Sequence, residues 1–468
     1  MFKHSILRYV VATAILILGF ASGATSAADT NSPWRLGKAL ELPDWLSVDG
    51  TYRVRYETLS GPFRAKATGS DQIMVERLLL NARVTVDRFY ADIELEDARQ
   101  QLADSGTPLG TDIVNTFEPL QAYVGARFRQ VFSADDRLDL TAGRITIDAG
   151  SRRLVARNRF RNTPNAFTGV RAAWQRSDGS EAQAFYVLPL QRRPSDFASL
   201  KDNDTELDTE SSDVRLWGFI GARPNVLGMA TGEVYFYGLR TRDHPGIPAA
   251  DRNLYTPGVR LFVKPAAKSW DYEVEGAYQF GTSRLTTAAS DKKDLRHRAG
   301  FFHGAAGYTW PAKISPRLEL SYDFASGDRD PKDGANNRFD TLYGARRFDF
   351  GPTGIYGPLV RSNISSPGMR IEAKPSRNLS GFAGYRAVWL ASSKDQFTTA
   401  KLQDPTGHSG SFVGQQIEAQ LQYNVVPGNL ALEIGEAYLI HGKFLEKAPN
   451  APHEGDTTYF YASVTATF

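Results

Sequence analysis

The sequence predicts an all-β fold: a transmembrane up-and-down antiparallel β-barrel of about 18 strands. Three observations predict it. Stretches of roughly 9–11 residues alternate apolar and polar positions, the period of a strand with one wet and one oily face and the length a tilted membrane strand needs. The connections between these stretches alternate short and long, as they do when one rim carries turns and the other carries loops. The chain is also rich in strand-forming aromatics and turn-forming glycine, with 27 Phe, 20 Tyr and 41 Gly in 468 residues. Mean hydropathy is only −0.36, as expected when only alternate residues meet lipid.

The elements follow in order. Lys3 and Arg8 precede an apolar core, Val10 to Phe20, and small residues through Ala28. That is the pattern of a secretory signal peptide over residues 1–28, too short in its apolar part to span a bilayer. Residues 29–468 then form a single barrel domain. Eighteen alternating runs lie near 48–59, 73–86, 89–98, 119–129, 137–145, 166–176, 181–190, 213–222, 230–241, 257–265, 270–280, 301–310, 316–325, 366–375, 378–391, 413–425, 429–441 and 457–468. In the second, Leu78, Leu80, Ala82, Val84 and Val86 share one face, opposite Arg77, Asn81, Arg83 and Thr85. Short links such as 87–88, 177–180 and 266–269 alternate with long ones such as 146–165, 191–212 and 326–365. An even strand count puts both termini at the short-turn rim. The short rim is then periplasmic and the long loops extracellular.

The last run, Tyr459 to Phe468, places Phe460, Ala462, Val464, Ala466 and Phe468 on one face. A final strand ending in Phe resembles the C-terminal signal of bacterial outer-membrane proteins. The resemblance implies recognition of Phe468 by the barrel-assembly machinery. Tyr459, Tyr461, Trp45, Trp174, Trp270, Trp310 and Trp389 fall near strand ends, where an aromatic girdle is expected.

Composition excludes several classes. There is no Cys, hence no disulfide framework, thiolate metal site or Cys nucleophile. With the leader removed the net charge is about +1, so global charge calls for no nucleic acid. About 18 strands enclose a lumen too wide for side chains to fill, which makes a channel the default. Parity turns Arg53, Arg55, Arg77, Arg83, Arg127, Arg129, Arg215, Arg260, Lys264, Arg370 and Lys374 inward, with Asp92, Glu94, Glu96, Glu273, Glu275, Glu319, Asp323 and Glu418. The lumen is therefore mixed in charge.

One stretch is not mixed. From 144 to 171 there are seven arginines (Arg144, Arg152, Arg153, Arg157, Arg159, Arg161 and Arg171), one acid (Asp148) and no Lys. Arg matches a carboxylate with a planar fork that Lys lacks. The segment follows a strand rising to the long-loop rim, so it either folds into the mouth as a carboxylate-guiding constriction or lies exposed against lipopolysaccharide phosphates.

This stretch also carries a resemblance. Gly143, Arg144, then Gly150, Ser151, Arg153, Leu154 and Val155, then Asn162, Thr163, Ala166, Phe167, Gly169, Val170 and Arg171 resemble the alginate export family of outer-membrane proteins, as does the loop from Ser326. The resemblance implies an 18-stranded monomeric barrel in the bacterial outer membrane with an Arg-lined path for an alginate-like polyuronate. Arg144, Arg152, Arg153, Arg157, Arg159, Arg161, Arg171, Arg77, Arg83, Arg127 and Arg370 are the expected guides. A porin for uptake of small organic anions is the other expectation from the same arginines.

Other constellations are thinner. Asp328, Asp330 and Asp333 offer oxygens to Ca²⁺ without an EF-hand pattern, and the seven His show no paired-ligand spacing. Ser283, Ser321 and Asp323 lack a His partner in register, and no G-x-S-x-G occurs. Neither enzyme nor cofactor is expected. The expected partners are an anionic polysaccharide or small organic anions, together with outer-membrane lipid and lipopolysaccharide.

Overall fold

A computed structural model describes residues 33–244, 248–330 and 332–468; the leader read at 1–28 lies outside the described residues. Eighteen antiparallel strands form one closed sheet. They are β1 (Leu46–Ser60), β2 (Ser70–Val86), β3 (Phe89–Gln101), β4 (Asn115–Arg129), β5 (Asp136–Ile145), β6 (Phe167–Arg176), β7 (Glu181–Pro189), β8 (Val214–Leu227), β9 (Ala230–Thr241), β10 (Asn253–Val263), β11 (Ser269–Ser283), β12 (Leu295–Thr309), β13 (Arg317–Ala325), β15 (Ile364–Ala373), β16 (Leu379–Trp389), β17 (Phe412–Val426), β18 (Leu430–His441) and β19 (Thr457–Thr467). The two-residue β14 (Ala335–Asn336) runs parallel beside Arg296 and His297 of β12. Each long strand pairs with the next, and β1 closes on β19 from Thr51 opposite Thr467 to Ser60 opposite Thr458. Closure removes the edge that lipid cannot hydrogen-bond.

Every alternating run is a strand. The largest boundary difference is β12, which begins at Leu295 rather than near 301. The turns at the short rim are tight because a residue at the tip takes the left-handed conformation, as at Asp87 (φ 54°) and Gly179 (φ 86°).

The faces divide cleanly. Val84, Val124, Leu140, Val170, Ile371, Leu421 and Ile434 are exposed on the outer wall, an apolar belt that belongs in lipid. Trp45, Trp270 and Trp310 are exposed near the short-turn rim, and Tyr308 lies 5.1 Å from both Trp270 and Trp310. Tyr459 and Tyr461 depart from the girdle expectation. Both point into the lumen and are fully buried, as the alternation with Phe460 requires. Arg215 departs too: it alternates with the buried Val214 and Leu216 and turns outward, donating to the Ser212 carbonyl at 2.7 Å.

Gly50 serves the closing seam. The backbone N–H of Phe468 donates to Gly50 O at 3.0 Å, and Gly50 N–H returns the bond at 2.8 Å. A Cβ at Gly50 would meet the Phe468 ring at 2.6 Å and Leu79 O at 2.8 Å. Gly50→Val is expected to displace the ring and lower the yield of heat-modifiable, closed barrel severalfold. Gel mobility of boiled against unboiled protein measures this.

Inside the barrel the core is continuous. Wall residues such as Ile73, Val75, Val187 and Leu216 pack with loop residues Ile147, Leu154, Val155, Phe350, Ile355, Tyr356 and Leu359. Two extracellular loops thus occupy what strand side chains alone cannot fill.

Candidate functional site

The first of these loops, residues 146–166, is the Arg-rich stretch. It crosses the lumen to the far wall at Gly150 (φ 49°), where a Cβ would meet Ile220 Cδ1 at 2.5 Å and Glu233 Oε2 at 3.1 Å. Glycine is therefore required there. Arg153, 4% exposed, donates to Glu273, to Glu275 at 2.7 Å and to Asp349 at 2.9 and 3.0 Å. Arg157 reaches Glu94 at 2.7 Å, Arg159 reaches Asp148 at 2.6 Å and Arg161 lies 3.7 Å from Asp112. The wall arginines hold the same loop by its backbone. Arg53 donates to the carbonyls of Arg159 and Arg161 at 3.1 and 3.0 Å, and Arg77 to that of Arg161 at 3.0 Å.

The second loop, residues 326–363, comes from the opposite wall. Its Ile355 N–H donates to Glu57 at 3.0 Å, Arg347 pairs with Glu418, and Arg370 donates to Phe348 O at 2.9 Å. Tyr356 stacks on Tyr459 at 5.0 Å. The loops also pair with each other. Tyr343 N–H donates to Leu154 O at 2.9 Å, Ala156 N–H to Tyr343 O at 3.1 Å and Ala345 N–H to Arg152 O at 2.9 Å. Arg153 and Arg361 both pair with Asp349 beneath this short parallel ladder. Buried pairs of this kind cost desolvation to form but hold geometry firmly once complete.

The arginines singled out in the sequence therefore divide. Arg153, Arg157, Arg159 and Arg161 bear carboxylate partners and act as ties. Arg77 and Arg370 hold loop carbonyls. Arg144 stands beside Ala122 and Thr168, the parity opposite lumen-facing Thr141 and Ile145, and pairs with Glu118 and, at 3.3 Å, Glu210. Arg152 lies 5.2 Å from the centre of the Phe348 ring. Arg83, Arg127 and Arg171 come together with Arg137, Tyr90 and Tyr123 around a chamber of about 180 Å³ below the first loop. There Arg83 pairs with Asp92 at 2.8 Å and Arg127 with Asp139 at 3.2 Å, while the Arg171 Nε is buried without a hydrogen-bond partner.

A second chamber, about 900 Å³, opens above the loops and is lined by Arg161, Arg192, Arg193, Arg252, Arg338 and Tyr343, among others. Sequence reasoning named Arg161 here but missed Arg192, and missed Arg64 and Arg346 close to it. Arg64, Arg161, Arg192 and Arg346 act on or through Asp112 as the one nearby acid they share. Arg64 donates to the Ile355 carbonyl at 2.8 Å, Arg192 to that of Pro164 at 3.2 Å and Arg346 to that of Leu359 at 3.2 Å. None of these three has a carboxylate within 4 Å among the described residues. Burial and the facing Arg161 push the Arg346 guanidinium down to about 9, and burial pushes Arg64 down to about 10. Arg64, Arg192 and Arg346 come from three separate loops, so no local run betrayed them.

Other candidates resolve as staples. Ser283 does have a His neighbour, contrary to expectation: its Oγ lies 3.1 Å from His297 Nδ1. The other His297 nitrogen faces the Gln279 amide at 2.9 Å, and Asn336 donates to Ser283 at 3.0 Å. His303, Asp323 and Asp349 converge, but Arg386, Arg153 and Arg361 already bond these carboxylates directly. Asp328 is buried, its N–H donating to Asp395, whereas Asp330 and Asp333 are exposed and accept from the Lys332 and Ala335 amides.

A closed barrel with an apolar belt and a charged, loop-crossed lumen defines an outer-membrane channel. The family model described as alginate export matches residues 44–456, and the chain belongs to that family. A search of curated proteins found no match. Solved structures share the architecture at low identity. OccAB1 of Acinetobacter baumannii has 12% identity, a TM-score of 0.56, and coverage of 91% of this chain and 97% of its own. A BenF-like porin from Pseudomonas fluorescens Pf-5 has 13% identity, a TM-score of 0.55 and coverage of 91% and 99%. OpdK of Pseudomonas aeruginosa, solved with vanillate, has 12% identity, a TM-score of 0.54 and coverage of 90% and 99%.

Proposed function

We propose that the protein passes small carboxylate-bearing solutes, entering by the upper chamber at Arg161 and Arg192 and continuing past the loops along the basic wall of Arg171, Arg83, Arg127 and Arg137. One observation carries this reading. Most luminal arginines are matched by carboxylates, whereas Arg192 in the upper chamber and Arg171 in the lower one have no carboxylate within 4 Å among the described residues. An anion gains there what protein carboxylates do not already supply, in a setting less screened than bulk water. No chemistry is required of the channel.

Membership of the alginate export family favours a second reading, export of a polyuronate whose repeated carboxylates use the same charges. A polymer needs both loops displaced, because their backbones bridge the lumen. Single-channel recording of the refolded mature barrel separates the readings. Anion-selective reversal potentials with block by a small aromatic carboxylate such as vanillate support the first. Block by oligouronates at concentrations where vanillate is silent supports the second. A pore indifferent to both sinks both.

A further inference from the structure

The extracellular segment 191–213 forms a strap that leaves β7 and docks on β3 and β4. Asn203 exchanges two bonds with the Gln100 backbone, at 2.8 and 2.9 Å, and Thr116 donates to Asp204 O at 3.0 Å. The strap then brings Asp208 against the wall. Its N–H donates to Glu118 at 2.9 Å, and its carboxylate accepts from Asn115 Nδ2 at 3.1 Å and from the Arg193 N–H at 2.9 Å.

This dock gathers acids. Glu96 stands directly across from Glu118, and Ala98 across from Asn115. Glu96 and Glu118 are 0% exposed, Asn115 1% and Asp208 6%. Of Glu96, Glu118 and Asp208, only Glu118 has a guanidinium partner, Arg144, which it shares with Glu210. Both carboxylate oxygens of Glu96, and Oδ1 of Asn115, are buried with no hydrogen-bond partner. Arg77, Arg157 and Arg192 act on Glu96 through space, yet each spends its bonds elsewhere: on loop carbonyls, on Glu94 and on Pro164 O. An orphaned buried carboxylate is among the costlier arrangements in a protein.

We propose that Glu96, Asn115 and Asp208 bind a hard divalent cation of the Ca²⁺ type, which fastens the strap to β3 and β4. The donors are all oxygens, as such a cation requires, and water completes its shell. Two carboxylates and an amide oxygen supply the charge and the unused lone pairs. The site differs from the His303 group, where guanidiniums already occupy the carboxylates. It also differs from the exposed Asp330 and Asp333.

The probe is Ca²⁺ alone, titrated calorimetrically into the refolded mature chain, washed with chelator and free of lipopolysaccharide. Heat-modifiable mobility verifies that each variant is closed. One saturable Ca²⁺ per chain is expected, with affinity reduced at least tenfold in E96Q and in D208N. The second change lies in the strap and leaves the wall intact. Ca²⁺ is also expected to slow proteolytic cleavage within 191–213 severalfold in the parent and not in D208N. Absence of saturable binding overturns the proposal. So does binding that survives both changes, or binding that D330N/D333N abolishes instead.

Discussion

Arg153→Ala is expected to raise single-channel conductance severalfold while leaving the barrel closed. Arg153 is almost wholly buried and carries three carboxylates, Glu273, Glu275 and Asp349. Removing one partner of a buried ionic set costs about 3–5 kcal/mol, because the remaining charges stay desolvated and unmatched. Glu273 keeps Arg260 at 2.8 Å and Asp349 keeps Arg361, but Glu275 loses its only guanidinium among the described residues. The cost falls on the first loop's attachment to the far wall and to the second loop. It does not fall on the strand ladder, so heat-modifiable mobility should survive. Arg153→Lys should recover little, since one ammonium cannot serve three carboxylates in this fork geometry. Unchanged conductance in Arg153→Ala would show that the loops are held mainly by apolar packing around Leu154, Val155 and Tyr356.

The second large effect is on selectivity. Arg171→Glu and Arg192→Glu, singly, are expected to cut flux of a small carboxylate about tenfold or more, and together to turn the pore cation-selective. At about 8 Å and an effective dielectric near 20, one unit charge acts on an anion by about 2 kcal/mol, and reversal changes the sign as well. A tenfold flux change corresponds to about 1.4 kcal/mol, so the estimate leaves room for salt screening. Arg159→Glu is the control. Arg159 is 60% exposed in its side chain and already paired with Asp148, so a smaller effect is expected. Reversal potentials in a salt gradient read all three. Equal effects in the three variants would mean that general surface charge, not the two chambers, sets selectivity.

The strands were legible because a lipid-facing wall imposes apolar alternation with little room for exception. β12 shows the limit. Its first residues do alternate, with Leu295, His297 and Ala299 buried and Arg296 and Arg298 exposed. They rise above the lipid belt, however, so the outer face is charged and the oily signal vanishes. Tyr459 and Tyr461 show the converse. Aromatic identity suggested the membrane interface, while parity placed them in the lumen, and parity prevailed because the wall fixes it. The arginine stretch was legible as a concentration of charge near the mouth. Its partners were not, because Glu94, Glu273 and Asp349 lie far from it in sequence and are brought to it only by the folded sheet and the second loop. Arg64 is a single arginine in a polar loop, and Arg192 and Arg346 each belong to no more than a doublet, with Arg193 and Arg347, so nothing in the sequence links the three.

The backbone ladder joining Leu154 to Tyr343 has a consequence for biogenesis. Its two sides belong to distant parts of the chain, and each is also moored to strands of the other part: Arg153 to β11, Ile355 to β1. The second loop gains its mooring on β1 only as the first and last strands come together. A newly inserted molecule is therefore expected to pass through a hollow, leaky stage before its interior settles. The time between membrane insertion and the fall in leakage then measures how quickly the interior sets.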